Sequence, residues 1–126
     1  MKVLILVAHG SRRAASNSEV ERLCDSLHHS AGSSFDEIDA AFLEYATPSV
    51  AEAVDAAVAR GADKITVLPY FLTAGSHVVR DVPAILQAKR REHPHMEFRL
   101  TEHRGCAPQR AELLMGLLRK TASGTF

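Results

Sequence analysis

Val3-Leu4-Ile5-Leu6-Val7-Ala8-His9-Gly10-Ser11-Arg12 decides the fold of this chain. Six apolar residues run without a break and end at a histidine, a glycine, a serine and an arginine. A short apolar run closed by turn residues suits a strand buried on both faces of a parallel sheet. The carboxyl ends of such strands line the crevice where open α/β sheets bind ligands. His9 is therefore expected on the rim of that crevice, with Gly10 letting the backbone turn sharply behind it. An imidazole there can hold a metal or move a proton near neutral pH.

Outward from this strand the chain alternates strand and helix. Val20, Leu23, Cys24 and Leu27 recur at helical spacing, and Ser16 with Glu19 reads as a capping box at the start of that helix. Ser30 to Ser34 reads as a loop, and Ile38 to Leu43 as a second strand ending at Glu44. Thr47-Pro48 is expected to open the second helix, since proline suits a first helical position. Val50, Val54, Ala57 and Val58 form its inner stripe, and Gly61 ends it. Lys64 to Leu68 is a third strand, followed by a loop from Pro69 to His77. A third helix carries Val82, Ile85, Leu86 and Lys89, with Pro83 either starting or kinking it. Met96 to Thr101 alternates as an edge strand does, and a last helix carries Ala111, Leu114, Met115 and Leu118. The expected fold is α/β: a single-domain, three-layer sandwich with helices on both faces of a four-stranded parallel sheet in the flavodoxin-like order 2-1-3-4. The domain is expected to span residues 1–120, with a frayed tail at 121–126.

Composition narrows the function. The 126 residues suit one core, with 46% hydrophobic residues, and 15 basic residues balance 15 acidic ones. That balance gives no electrostatic reason to expect nucleic acid or a membrane surface as partner. No apolar run approaches the roughly 18 residues of a membrane span. The first residues read as strand, without a secretory pattern. Cys24 and Cys106 form no C-x-x-C pair, so a reducing, cytoplasmic setting is expected. No phosphate-binding G-x-x-x-x-G-K-[ST], dinucleotide G-x-G-x-x-G or G-x-S-x-G elbow is present, and no organic cofactor is expected.

Four chemically capable residues follow strand ends: His9, Glu44, His77 and His103. A parallel sheet puts all four ends on one edge. His9, Glu44 and His77 offer two imidazoles and a carboxylate, a set suited to cobalt, iron or nickel with positions left open for a substrate. The same groups can take protons from a bound ligand. The loop Leu68-Pro69-Tyr70-Phe71-Leu72-Thr73-Ala74-Gly75-Ser76-His77 can form an apolar wall for a planar ligand, with Gly75 as a hinge. Arg12, Arg13 and Arg80 lie beside the two histidines, where their forked donors suit carboxylates. His28 and His29 belong to a solvated helix face, His93 and His95 flank Pro94 in a turn, and Cys24 falls on an apolar stripe. His103 and Cys106 sit at the rim with a minor role at best.

Leu6-Val7-Ala8-His9-Gly10-Ser11-Arg12, Phe42-Leu43-Glu44 with Thr47-Pro48-Ser49, and Leu68 to Val78 together resemble the CbiX-type sirohydrochlorin cobaltochelatases, the class II chelatases. The likeness runs in order from Val3 to about Leu86, and the length is similar to that of the short, single-domain form. The resemblance implies insertion of a divalent metal into the tetrapyrrole sirohydrochlorin, in cobalamin or sirohaem-type biosynthesis. It implies a homodimer with the active site between two chains. It matches the family's metal-binding, catalytic histidines to His9 and His77, and a catalytic carboxylate to Glu44. Ser11, Arg12, Tyr70, Phe71, Leu72, Gly75, Ser76 and Arg80 are then the expected substrate-binding residues. The chain departs from the family after the last strand, where Glu102-His103-Arg104-Gly105 replaces a leucine-glycine step, and it has no histidine-rich tract.

Two rivals share some of these residues. A histidine phosphatase also places His-Gly after a strand, but needs an arginine just before the histidine to hold phosphate, and here Ala8 stands there. A non-catalytic carrier of metal or tetrapyrrole would use the same ligands as a chelatase.

Overall fold

The computed structural model describes residues 1–31, 35–70 and 76–101, the side chains of residues 30, 31 and 76–80 excepted. In chain order the elements are β1 (Lys2–Ala8), α1 (Ala14–Ala31), β2 (Glu37–Phe42), α2 (Val50–Ala59), β3 (Lys64–Pro69), α3 (Ser76–Glu92) and β4 (Glu97–Leu100). All strand pairs are parallel, in the order β2-β1-β3-β4. This is the expected α/β sheet, with β1 central and the change of direction between β1 and β3. The expected last helix and the 121–126 tail lie outside the described residues.

The apolar run of β1 is why it is central. Val3, Leu4, Ile5, Leu6 and Val7 all have zero exposure. Alternate side chains go to opposite faces of a strand. Val3, Ile5 and Val7 pack with Val50, Val54 and Ala57 of α2 and Val82 and Leu86 of α3. Leu4 and Leu6 pack with Cys24 and Leu27 of α1 and with Phe35. Each of these valine, leucine, isoleucine and phenylalanine side chains contributes about 1.5–3 kcal/mol by leaving water.

Register sets the level of the strand ends. Ala8 lies opposite Phe42, and Val7 opposite Pro69. The backbone N–H of Leu43 donates to Ala8 O (3.1 Å), that of Glu44 to His9 O (2.9 Å) and that of Tyr70 to Val7 O (2.7 Å). These bonds carry the ladder past the strands, so residues 9, 44 and 70 leave the sheet along one edge.

Two local expectations need correction. Helix α1 begins at Ala14, ahead of Ser16, so Ser16 and Glu19 form no capping box. Its entry is built by Asn17, whose Oδ1 accepts from Ser11 N–H (2.9 Å) and whose Nδ2 donates to Ser11 O (2.8 Å). Helix α2 does not start at Thr47-Pro48. The Phe42 N–H donates to Pro48 O (2.9 Å), which holds Pro48 beside β2, and Thr47-Pro48 is cis. The helix starts after Ser49, whose hydroxyl accepts from Glu52 N–H (3.1 Å) while the Glu52 carboxylate accepts from Ser49 N–H (2.8 Å). Of the two alternatives open for Pro83, the structure has the interior one: it lies inside α3 and does not start it.

The end of α2 follows expectation. Gly61 has φ 101°, and the N–H groups of Gly61 and Ala62 donate to Val58 O and Ala57 O, the paired bonds of a Schellman motif. Helices α2 and α3 are clasped by Lys89. Its stem lies on the inner stripe, its side chain is 9% exposed, and its ammonium donates to both oxygens of Asp55 (2.9 and 3.0 Å) and to Glu92 (3.2 Å).

Candidate functional site

The site grows from the end of β1. His9 and Glu44 are both exposed and lie side by side, with His9 Nε2 3.0 Å from Glu44 Oε2. Gly10 makes the approach possible. Its φ is 97°, and a Cβ there would collide with the carbonyl oxygen of Glu44. No residue but glycine fits, so the glycine after the histidine does more than turn the chain: it lets the Glu44 backbone close over β1.

The chain beyond Glu44 is strained. Tyr45 has φ 65°, and the Ala46 N–H donates back to Glu44 O (2.8 Å). A bond from residue i+2 to residue i across a positive φ is a γ-turn of the rare kind. A non-glycine residue held this way costs about 1–3 kcal/mol, and such strain gathers at functional sites. The turn projects Tyr45 to an exposure of 58%. The Arg12 guanidinium lies over its ring, 5.0 Å from the centroid.

Ser11 is largely committed to local structure. Its N–H and C=O are taken by Asn17, and its hydroxyl oxygen accepts from Arg13 N–H (3.0 Å). The hydroxyl keeps its own proton to give. Tyr70 is half-buried and packs against the cluster of Leu4, Leu6, Cys24, Leu27 and Leu68 on the α1 face. Burial, with the Glu19 charge, raises its phenol above the ordinary value and keeps it neutral.

Of the other expected site residues, Phe71, Leu72 and Gly75 lie outside the described residues, as do His103 and Cys106. Ser76, His77 and Arg80 fall in the first two turns of α3, on the segment that follows β3, and their side chains lie outside the described ones. The structure thus brings together His9, Glu44 and Arg12 of the expected set. It adds Tyr45, which sequence reading passed over because a single tyrosine in a turn carries no periodic signal.

His9 and Glu44 can do two things. Two ligand atoms each roughly 2.1 Å from a metal and about 90° apart stand roughly 3 Å from each other. The observed 3.0 Å therefore allows both to share one ion. In the other arrangement Glu44 accepts the Nε2 proton, fixing the ring and leaving Nδ1 to face a metal.

Two further features are not part of this site. Asp55, Glu92 and His93 have the atoms to hold a cation, but the Lys89 ammonium already sits among them. A cavity of about 340 Å³ opens beside β2 between α1 and α2, lined by Cys24, Asp25, Asp39 and Arg60 among others, and neither His9 nor Glu44 reaches it. Arg60 is there paired to Asp39 and Glu37. The Cys24 thiol is pushed up to about 12 by burial and by neighbouring carboxylates, which leaves it inert. Among the described residues no helix is long and apolar enough to cross a membrane.

The family model described as CbiX matches residues 3–121. The sirohydrochlorin cobaltochelatase of Methanopyrus kandleri is 38% identical over 86 residues, which span 68% of this chain and 59% of that protein. The chloroplastic sirohydrochlorin ferrochelatase of Arabidopsis thaliana is 31% identical over 98 residues, spanning 78% of this chain and 43% of its own length. Among solved structures, one described as a cobalamin (vitamin B12) biosynthesis CbiX protein from Marinobacter aquaeolei VT8 is 31% identical. It superposes with a TM-score of 0.70 over 94% of this chain and 95% of that one.

Proposed function

The chain belongs to the CbiX family, and we propose that it is a chelatase that inserts a divalent metal, cobalt, into sirohydrochlorin. The observation that carries this is the exposed His9–Glu44 pair at 3.0 Å on the carboxyl edge of the sheet. It supplies a metal ligand and a proton acceptor at one point, which is what insertion needs.

Insertion of M²⁺ into a free tetrapyrrole releases two pyrrole N–H protons and forms a neutral core with the metal. The incoming ion must exchange its water shell for ligand nitrogens. His9 and His77 hold the ion as neutral imidazoles, with positions open for the substrate nitrogens to enter. Glu44 takes the departing protons and passes them to solvent, helped by its exposure. The proton of the Ser11 hydroxyl, the Arg12 and Arg80 guanidiniums and Ser76 bind the peripheral carboxylates. Tyr70, Phe71, Leu72 and Gly75 line the apolar wall against the macrocycle.

The metal and the assembly are the finer parts of the proposal. Imidazole and carboxylate accept cobalt, iron and nickel alike, and selection depends heavily on which is supplied. Iron is the second reading, favoured by the similarity to a ferrochelatase. A homodimer is supported by the exposure of His9 and Glu44, since a tetrapyrrole needs walls on both sides to leave water.

The test is turnover. Sirohydrochlorin in excess over protein, with cobalt, iron and nickel in turn, is followed by absorbance. Many equivalents metallated per chain, fastest with cobalt, is the expected result. Stoichiometric binding that stops at one equivalent would make the protein a carrier instead. Light scattering at micromolar concentration checks the dimer; a fully active species of 13.7 kDa would contradict it.

A further inference from the structure

Tyr45 takes no part in the metal chemistry, yet three observations make it the most conspicuous side chain on the rim. Among the described residues it is the single large hydrophobic side chain left exposed. Its backbone is held at φ 65° by the turn between Glu44 and Ala46, a conformation that aromatic residues rarely adopt. It follows directly on Glu44, and the Arg12 guanidinium lies over its ring. An exposed aromatic face loses nothing by being covered, whereas a tyrosine in a strained turn with no ligand to meet is a liability.

We infer that Tyr45 and Arg12 form a binding face for the edge of the tetrapyrrole: the ring stacks on the conjugated macrocycle and the guanidinium pairs with a peripheral carboxylate. For its ligand the inference rests on the chelatase reading. Conjugated rings stack offset at van der Waals distance, and the phenol ring offers such a surface without a hydrogen-bond requirement. The guanidinium keeps its in-plane donors while stacked, so one group can cover the tyrosine and grip a carboxylate together. The strained turn then has a purpose. It holds the ring out beside Glu44, where a macrocycle presenting its nitrogens to His9 and Glu44 would bring its periphery.

Titration of metal-free sirohydrochlorin into metal-free protein, read by absorbance and fluorescence, tests this apart from insertion. Tyr45→Gly suits the left-handed backbone, so its Tm is expected to equal or exceed that of wild type. Its Kd for the macrocycle is expected to rise about tenfold, with Tyr45→Phe within twofold of wild type because the ring and not the hydroxyl is used. Arg12→Gln is expected to weaken binding severalfold at low salt and less at high salt, since its share is ionic; the Tyr45→Gly loss should not depend on salt. Unchanged Kd in Tyr45→Gly, or equal losses in Tyr45→Phe and Tyr45→Gly, would overturn the inference. Wild type that binds the macrocycle tightly but never metallates it would overturn the chelatase reading and leave the binding face standing. Wild type that does not bind it at all would overturn both.

Discussion

Glu44 lies with its carbonyl oxygen against the α-carbon of Gly10, so close that a Cβ on Gly10 would overlap it. Gly10 also has a left-handed φ of 97°. Sterics and conformation thus both demand glycine, and the demand comes from the residue that carries the site's carboxylate.

Gly10→Ala should therefore lower stability by about 2–4 kcal/mol, from the left-handed penalty plus displacement of the 44–46 turn. Insertion should fall with it, because Glu44 is moved from His9. Gly61→Ala is the control. Its φ is 101°, but nothing lies within 4 Å of the added Cβ. It should cost only about 1–2 kcal/mol and leave insertion intact. Chemical denaturation of both variants beside wild type checks this, and equal losses at the two positions would contradict it.

Glu44→Gln separates two roles for the carboxylate. As a proton acceptor, Glu44 should be dispensable for metal binding and worth about 10²–10⁴-fold in insertion rate. As a metal ligand it should be needed for both, since the amide is a poorer donor. We expect the first pattern, because Nε2 of His9 already faces Glu44 and Nδ1 remains for the ion. Calorimetric titration of cobalt into the variant, beside its insertion rate, decides it. Loss of binding in parallel with rate would make Glu44 a ligand.

Stability should report the Asp55–Lys89 clasp between α2 and α3. The Asp55 carboxyl is held below its ordinary value, chiefly by the hydrogen bond from Lys89. Its contribution is therefore complete above the unfolded value of 3.8 and is lost as the pH falls through the folded one. Lys89 is raised, chiefly by the same bond, so its share is intact below 10.5 and is lost as the pH rises through the folded value. Asp55→Asn should cost about 1–2 kcal/mol at neutral pH, a modest figure because Asp55 is half-exposed. The gap between variant and wild type should close in acid, where both side chains are neutral. Urea midpoints from pH 7 to 2.5 measure it; a gap that persists at the acid end would contradict the linkage.

Much of this was legible in sequence, for identifiable reasons. The unbroken run Val3–Ala8, closed by turn residues, suited a strand buried on both faces, and the alternation of strands with helical stripes made the 2-1-3-4 sheet the natural arrangement. His9 and Glu44 were placed on one edge by counting from strand ends. What failed was local and long-range at once. S-x-x-E recurs along the chain, and of Ser16–Glu19 and Ser49–Glu52 only the second is a capping box. The choice is made by bonds that tie each motif or its flank to a residue outside it, each spanning six residues: Phe42 holding Pro48, and Asn17 closing on Ser11. Phe35, next to a polar stretch read as loop, is buried because it covers the α1 face below Leu4 and Leu6. Tyr45 was invisible because its meaning lies in a positive φ and a guanidinium 33 positions upstream.

In the proposed reaction, metal enters the macrocycle at His9, beside Glu44. Cobalt insertion into sirohydrochlorin by His9→Ala, measured by absorbance on protein whose Tm matches wild type, tests it most directly. His9 is exposed, so the variant should fold normally. A rate at least about 100-fold below wild type, with weaker cobalt binding by the variant, is the expected result. A rate within twofold of wild type would contradict it.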